Sequence, residues 1–328
     1  MNKTLHAILS LLDKHTAIVG SRELAKQLKL HGVELTERTV RYYLKMLDRG
    51  GYTEVFGKEG RKITTRGREE LKHALVPGKL GFVISRIETL SYLTTLDMAA
   101  MEGDVILNIS YFPRKKLRTA LELLKPVFES PYVMSERVVI AHEGENIGEV
   151  IVPKGMVGFG TVCSVTINGI FLKAGIPVHS RFGGVVETMN GAPRRFVSLI
   201  SYEGSSLDPL EVFIRSRMTD VCGAAAGKEG RILASFREIP VVCLEKAKKL
   251  SRTMADRGIR GLLLIGSPNA PLLEVPVGID KVGIVVVGGL NPIAVLEEQG
   301  IPTESKAMST LYDYSQLVPF SDITPRSV

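Results

Sequence analysis

Two stretches of this chain repeat each other, and that duplication limits its possible folds more than any other feature. VPKGMVGFGTVCSVTING (152–169) aligns with VPVGIDKVGIVVVGGLNP (275–292). Val152, Pro153, Gly155, Gly160, Val162 and Asn168 recur at an offset of 123 as Val275, Pro276, Gly278, Gly283, Val285 and Asn291. Both stretches run on into GIP, at 175–177 and 300–302, where the offset is 125, as two extra helical residues would produce. Upstream, GDVILNISYFP (103–113) pairs with GRILASFREIP (230–240). A period of about 125 residues is too long for a solenoid. The expectation is two similar units, near 80–205 and 206–328, packed with pseudo-twofold symmetry in an α/β (α+β) fold. Each unit holds a strand, a helix, more strands and a final turn-to-helix element.

The first quarter of the chain lies outside the duplication and differs in charge. Residues 1–79 hold 16 Lys+Arg against 9 Asp+Glu, whereas 80–328 hold 26 of each, so the net +7 sits entirely in the first segment. That asymmetry points to a basic module for a polyanion joined to a neutral module with another task. Leu5, Ile8, Leu9, Leu11 and Leu12 have the spacing of one buried helix face. Ser21 is placed to cap a second helix that buries Leu24, Ala25 and Leu28 and stops at Gly32. Thr36 caps a third, which buries Val40, Leu44 and Leu47 and displays Arg38, Thr39, Arg41, Tyr42 and Lys45. Gly50-Gly51 ends it, and YTEVFGKEGRKITT reads as a hairpin carrying Lys58, Arg61 and Lys62. Three helices and a basic hairpin make a winged helix-turn-helix, whose third helix enters the major groove while the wing follows phosphates. This domain is placed at 1–76 and the second domain at 80–328, with Pro77-Gly78 as the hinge.

The turn-to-helix elements are the candidate ligand site. Gly288-Gly289 follows a buried strand, and Asn291 with Pro292 reads as a helix N-terminus, where N–H groups and the helix dipole favour an anion. The first copy carries Cys163, Thr166 and Asn168 there, then His179, Ser180 and Arg181. This set suits a small carboxylate. Two plainer readings stand beside it: Cys163 is a small buried hydrophobe, and Arg181 pairs with Glu187 across a turn. Cys163 and His179 as nucleophile and base would lack a third member, so no catalytic residue is assigned. No metal-ligand spacing, Walker lysine or strand-to-helix GxGxxG occurs, and three scattered cysteines do not make a disulfide framework. No apolar run reaches the ~18 residues of a membrane span, and the N-terminus is not a signal peptide. A cytoplasmic protein is expected.

GFGTVCSVTINGIFLKAGIPVHSRFGGVVE and VGIVVVGGLNPIAVLEEQGIP, behind a winged helix, resemble NrpR, the archaeal repressors of nitrogen-assimilation genes. The resemblance covers essentially the whole chain. It implies a dimeric repressor that binds inverted-repeat operator DNA and is released by 2-oxoglutarate, with no other cofactor. It also implies a short form with one effector domain, which a separate NrpR-domain subunit would complement, and it favours a ligand role for Cys163. The alternatives from the residues alone are a regulator sensing another small carboxylate or amino acid, and an enzyme of unknown reaction fused to a DNA-binding module.

Overall fold

A computed structural model describes residues 3–15, 18–30, 32–73 and 82–323. The chain divides into two compact units, Met1–Leu80 and Gly81–Val328. The expected hinge at Pro77-Gly78 falls outside the described residues.

In the first unit, helices α1 (Lys3–Lys14), α2 (Ser21–Leu30) and α3 (Glu37–Arg49) precede the hairpin β1 (Thr53–Phe56) and β2 (Gly60–Ile63), and α4 (Thr65–His73) closes it. This is the winged-helix order. Ile8, Leu9, Leu12, Leu24, Leu28, Val40 and Leu44 form its core, the residues whose 3–4 spacing marks one face of each helix. Gly32 stops α2 at φ +73, a conformation that costs a side-chain-bearing residue. Thr36 caps α3, its Oγ1 accepting from the Thr39 N–H at 3.2 Å. Ser21 is not a cap: it is already the first residue of α2, and its hydroxyl donates to Glu37 Oε1 at 3.0 Å.

The second unit starts with α5 (Phe82–Leu93). The first copy follows as β3 (Asp104–Pro113), α6 (Leu117–Glu129), β4 (Arg137–His142), a small hairpin of β5 (Asn146–Ile147) and β6 (Val150–Ile151), β7 (Met156–Val162), α7 (Val165–Lys173) and β8 (His179–Met189). β9 (Ala192–Ser201), α8 (Pro209–Arg215) and α9 (Val221–Ala225) cross to the second copy. That copy runs β10 (Gly230–Pro240), α10 (Leu244–Asp256), β11 (Leu262–Ile265), β12 (Lys281–Val287), α11 (Asn291–Glu298) and β13 (Glu304–Asp313), and β14 (Val318–Pro319) ends it. Two five-stranded sheets result, ordered β13-β3-β7-β4-β14 and β11-β12-β10-β8-β9. The copies therefore exchange their last strands. β13 of the second copy pairs with β3 of the first, and β8 of the first pairs with β10 of the second. β3 and β10 are buried along nearly their whole length; neither alternates apolar with polar residues, and β10 buries Ser235, Arg237 and Glu238 among its apolar residues.

Strand pairing corrects the register inferred from sequence. Leu107 faces Val162 and Pro113 faces Met156; in the second copy Ala234 faces Val287 and Pro240 faces Lys281. With β3 and β10 related by 127 residues, β7 and β12 are related by 125, the same offset as the two GIP segments. There is no two-residue slip within the helices. The offset of 123 is an error of two residues, which a period-2 strand conceals because it keeps every side chain on its face. Cys163 thus matches Gly288, and Thr166 matches Asn291, while Asn168 matches Ile293. Hydrogen bonds agree: Cys163 N–H donates to Ile106 O and Gly288 N–H to Leu233 O, both at 2.8 Å.

Candidate functional site

The exposed side of α3 carries Arg38, Arg41, Tyr42 and Lys45, opposite the buried Val40, Leu44 and Leu47. Tyr42 is 63% exposed. Thr39 is half-buried and hydrogen-bonds Thr36 through its hydroxyl at 2.9 Å. Arg41 pairs with Glu37 and donates through Nε to Ser21 Oγ at 3.2 Å, which ties α3 to α2. In the wing, Lys58 is exposed and Lys62 half-buried. Arg61 departs from the expectation of a phosphate contact. Its Nε lies 3.0 Å from both oxygens of Asp48 and its Nη2 2.9 Å from Oδ2, so it clamps the wing to the end of α3.

In the second unit the two turn-to-helix elements meet. Thr161 Oγ1 donates to Gly289 O at 2.8 Å, and a Cβ on Gly289 would sit 2.4 Å from Val162 O. Close approach of the two turns requires glycine there, independent of any ligand. Gly288 is constrained similarly, by Leu233. Several expected anion contacts are already occupied. Asn291 is the first helical residue, not the N-cap; it is fully buried, and its Oδ1 accepts from Leu233 N–H at 2.8 Å while Nδ2 donates to Tyr132 O at 3.1 Å. Thr166 does the equivalent work in the first copy, accepting from Ile106 N–H at 3.1 Å.

Around this junction lies a small, partly enclosed cavity of ≈ 10 Å³, room for about one water. Cys163 and Ser164 line it from the turn before α7, Gly289 and Leu290 from the turn before α11. Asn108, Ile87 of α5, Met308 of β13, and Tyr202 and Asp208 of the crossover complete the wall. Met308 sits at φ +50 where the β13–β3 register shifts, and its N–H donates to Asn108 Oδ1 at 3.1 Å. Gly183 lets the crossover lie against β8, since a Cβ there would meet Pro209 at 2.7 Å and Tyr202 Oη at 3.1 Å. Burial pushes the Cys163 thiol up to about 11 and raises the Tyr202 phenol, so both are neutral at pH 7. Burial, with repulsion from Glu211, lifts Asp208 to about 6. A protonated thiol whose cavity contains no histidine is not a nucleophile, and the Cys163–His179 pairing is absent.

Behind Ser164 stands a residue that sequence reasoning missed. Arg237 is 1% exposed, with Nε donating to Ser235 Oγ at 3.1 Å, Nη1 to Ser164 O at 3.0 Å and to Asn168 Oδ1, and Nη2 to Ser164 Oγ at 2.9 Å. Every partner is neutral. Burial pulls its pKa down to about 10, which leaves it a cation at pH 7. Asn168 Nδ2 in turn donates to Ser180 Oγ at 2.9 Å. A visible signal was the charged pair Arg237-Glu238 in ILASFREIP, where the aligned segment VILNISYFP has Ser110 and Tyr111.

His179 and Arg181 flank Ser180 on the strand and therefore point to the other face of the sheet. There Arg181 Nη1 pairs with Glu238 Oε1 at 2.8 Å and His179 Nδ1 lies 3.8 Å from Glu238 Oε2. Glu187 pairs instead with Arg195, at 3.1 Å. The nine expected ligand residues are thus divided among the cavity wall, its buried support and the opposite sheet face. A larger groove of ≈ 1010 Å³, along α6 between Arg118, Lys125, Phe128 and Phe320, contains none of them.

A winged helix joined to a strand-exchanged regulatory unit is the organisation of a transcription regulator. Residues 80–319 match the family of NrpR regulatory domains NRD1 and 2, and residues 6–71 match the ribonuclease R winged-helix domain. The global nitrogen regulator NrpRI of Methanosarcina mazei is 38% identical over 97% of this chain and 98% of its own length. The global nitrogen regulator NrpR of Methanococcus maripaludis is 32% identical over 94% of this chain, which spans 54% of that relative. The crystal structure of a nitrogen repressor-like protein from Methanococcus jannaschii superposes with a TM-score of 0.62 at 32% identity, covering 73% of this chain and 98% of that one. The chain belongs to the NrpR family of nitrogen regulators, a family of regulators and not of enzymes. Among the described residues no helix is long and apolar enough to cross a membrane.

Proposed function

We propose that this chain represses nitrogen-assimilation genes by binding inverted-repeat operators as a dimer, and that 2-oxoglutarate releases it. The observation that carries the reading is the exposed cationic face of α3, Arg38, Arg41 and Lys45, on a unit holding all the net charge of a chain with NrpR regulatory domains. One winged helix covers a small site, and specific affinity comes from two half-sites about one helical turn apart. Dimerisation is assigned to the neutral unit, which leaves the basic face for DNA. A separate NrpR-domain subunit is a further partner this reading allows. Release requires 2-oxoglutarate to favour the arrangement that does not bind DNA, because equal affinity for both states shifts nothing. Mobility-shift titration tests the DNA half of the reading. Arg38→Ala and Lys45→Ala are expected to weaken operator binding by about 1–3 kcal/mol where the side chain reads a base. Unchanged titrations for both would place DNA elsewhere.

A further inference from the structure

The duplication places two copies of one surface corner in the second unit. In each copy the first long strand ends there and passes through a short 3₁₀ turn into a helix: β3 through Arg114–Lys116 into α6, and β10 through Val241–Cys243 into α10. Beside each corner lies the turn that opens β7 or β12. The backbone geometry is the same in both copies. Arg114 N–H donates to Gly155 O and Val241 N–H to Asp280 O, each at 3.0 Å. Gly155 and Asp280 are both left-handed, at φ +76 and +54. Met156 N–H donates to Pro153 O at 3.2 Å, as Lys281 N–H does to Gly278 O at 3.3 Å.

The chemistry of the two corners is opposite. Arg114, Lys115, Lys116 and Lys154 in the first copy stand where the second has Val241, Val242, Cys243 and Ile279. The site faces outward in both: Val242 is 93% exposed and Ile279 89%, and all four cations are exposed. Folding therefore requires neither set of side chains. Among the described residues none of the four cations has an ion-pair partner, whereas the next one along, Arg118, pairs with Glu122 at 3.3 Å. One carboxylate is bonded into the corner, Glu143, whose Oε2 accepts from Gly155 N–H at 2.8 Å. Four cations against that one acid leave +3, which the zero net charge of residues 80–328 conceals. Like charges crowded on one corner repel, and a polyanion is the partner that turns the repulsion into attraction.

We propose that the Arg114–Lys116 turn and Lys154 form a second DNA contact, on the regulatory unit, which grips the phosphate backbone of the duplex held by the winged helix and reads no bases. The proposal rests on the DNA-binding reading above and adds a surface to it. Three of the four cations are lysines, point charges on flexible stems that suit phosphate better than the forked recognition of a base edge. The winged helix also keeps a duplex tethered to the chain, so phosphates are present at high effective concentration. A contact too weak to hold DNA alone then still adds to the affinity. An acidic protein would have no such tether.

The test uses the full chain and fluorescence anisotropy over a range of salt, on a duplex extended well beyond the operator at both ends and on a scrambled duplex of the same length. Lys115→Gln/Lys154→Gln removes two charges from the corner. Val242→Lys/Ile279→Lys adds two at the matching corner of the second copy. All four side chains are exposed, and circular dichroism confirms each fold. The lysine variant is expected to lower the salt slope by about 2 and to weaken binding at least tenfold at about 0.1 M salt, on both duplexes alike. The added lysines should leave the slope within about 0.5 of the wild type, well under the ~0.9 released per phosphate. An unchanged slope in Lys115→Gln/Lys154→Gln overturns the proposal and points the corner at an acidic protein instead. A loss confined to the operator duplex overturns it, as does an equal and opposite slope change in Val242→Lys/Ile279→Lys, because charge would then act wherever it is placed. A wild type that binds neither duplex overturns the DNA-binding reading as well.

Discussion

Asp208 and Glu238 are both carboxylates in water-poor surroundings, yet their environments differ. Asp208 faces Arg86 of α5 but also Glu211 of its own helix, and burial with that repulsion raises its folded pKa from 3.8 to about 6. The folded state therefore holds its proton more tightly than the unfolded chain. The destabilisation is absent below pH 4, grows between pH 4 and 6, and is complete above pH 6. Asp208 also caps α8 by accepting from Leu210 N–H at 2.9 Å, a bond that an asparagine oxygen can keep. Asp208→Asn is thus expected to raise the melting temperature at pH 7.5 and to leave it unchanged at pH 4; an equal shift at both would contradict the assignment. Glu238, 5% exposed on its side chain, has Arg181 as its close cation. Arg181→Ala leaves that carboxylate with the Gly278 N–H at 2.9 Å and the more distant His179, and should destabilise the protein by about 1.5–3 kcal/mol in urea titration, the range for hydrogen bonds to charged groups. Adding Glu238→Gln should recover much of that loss. From sequence Arg181 reads as an effector contact, because spacing along a strand shows neither which face a side chain takes nor which strand lies beside it.

At the scale of the element, sequence reading succeeds where structure is local. The helices of the winged domain follow from leucine spacing, Thr36 and Gly32, all of which act within a turn or two. It fails where partners come from distant segments. Arg61 lies in a basic hairpin and reads as a phosphate contact, but Asp48, across the turn after α3, holds it. Arg61→Ala should therefore cost the first unit about 1.5–3 kcal/mol of stability, the range for hydrogen bonds to charged groups. Lys58→Ala should leave stability unchanged and lower the salt slope of DNA binding by about 1. Reversal of these two effects would restore Arg61 as a DNA contact. The cavity was only half legible. Cys163 and Gly289 belong to a motif that the sequence shows; Tyr202, Asp208 and Ile87 reach it from the crossover and α5, which no motif marks.

For the whole molecule the exchange of β8 and β13 is decisive. Each sheet contains strands from both copies, so neither copy can form its sheet without the other. Calorimetry of the full chain is expected to show the second unit melting in one transition with equal calorimetric and van't Hoff enthalpies, whereas separate melting of the copies would deny the exchange. A unit that unfolds as one can also respond as one, which is what control of DNA binding from a ligand site requires. The most direct test is fluorescence anisotropy of the full chain on a duplex carrying an inverted repeat selected by the protein itself, titrated with and without saturating 2-oxoglutarate. The expected result is tight binding without the ligand and an apparent Kd at least tenfold higher with it. An unchanged Kd, with calorimetry showing that 2-oxoglutarate is bound, would contradict a repressor released by its effector.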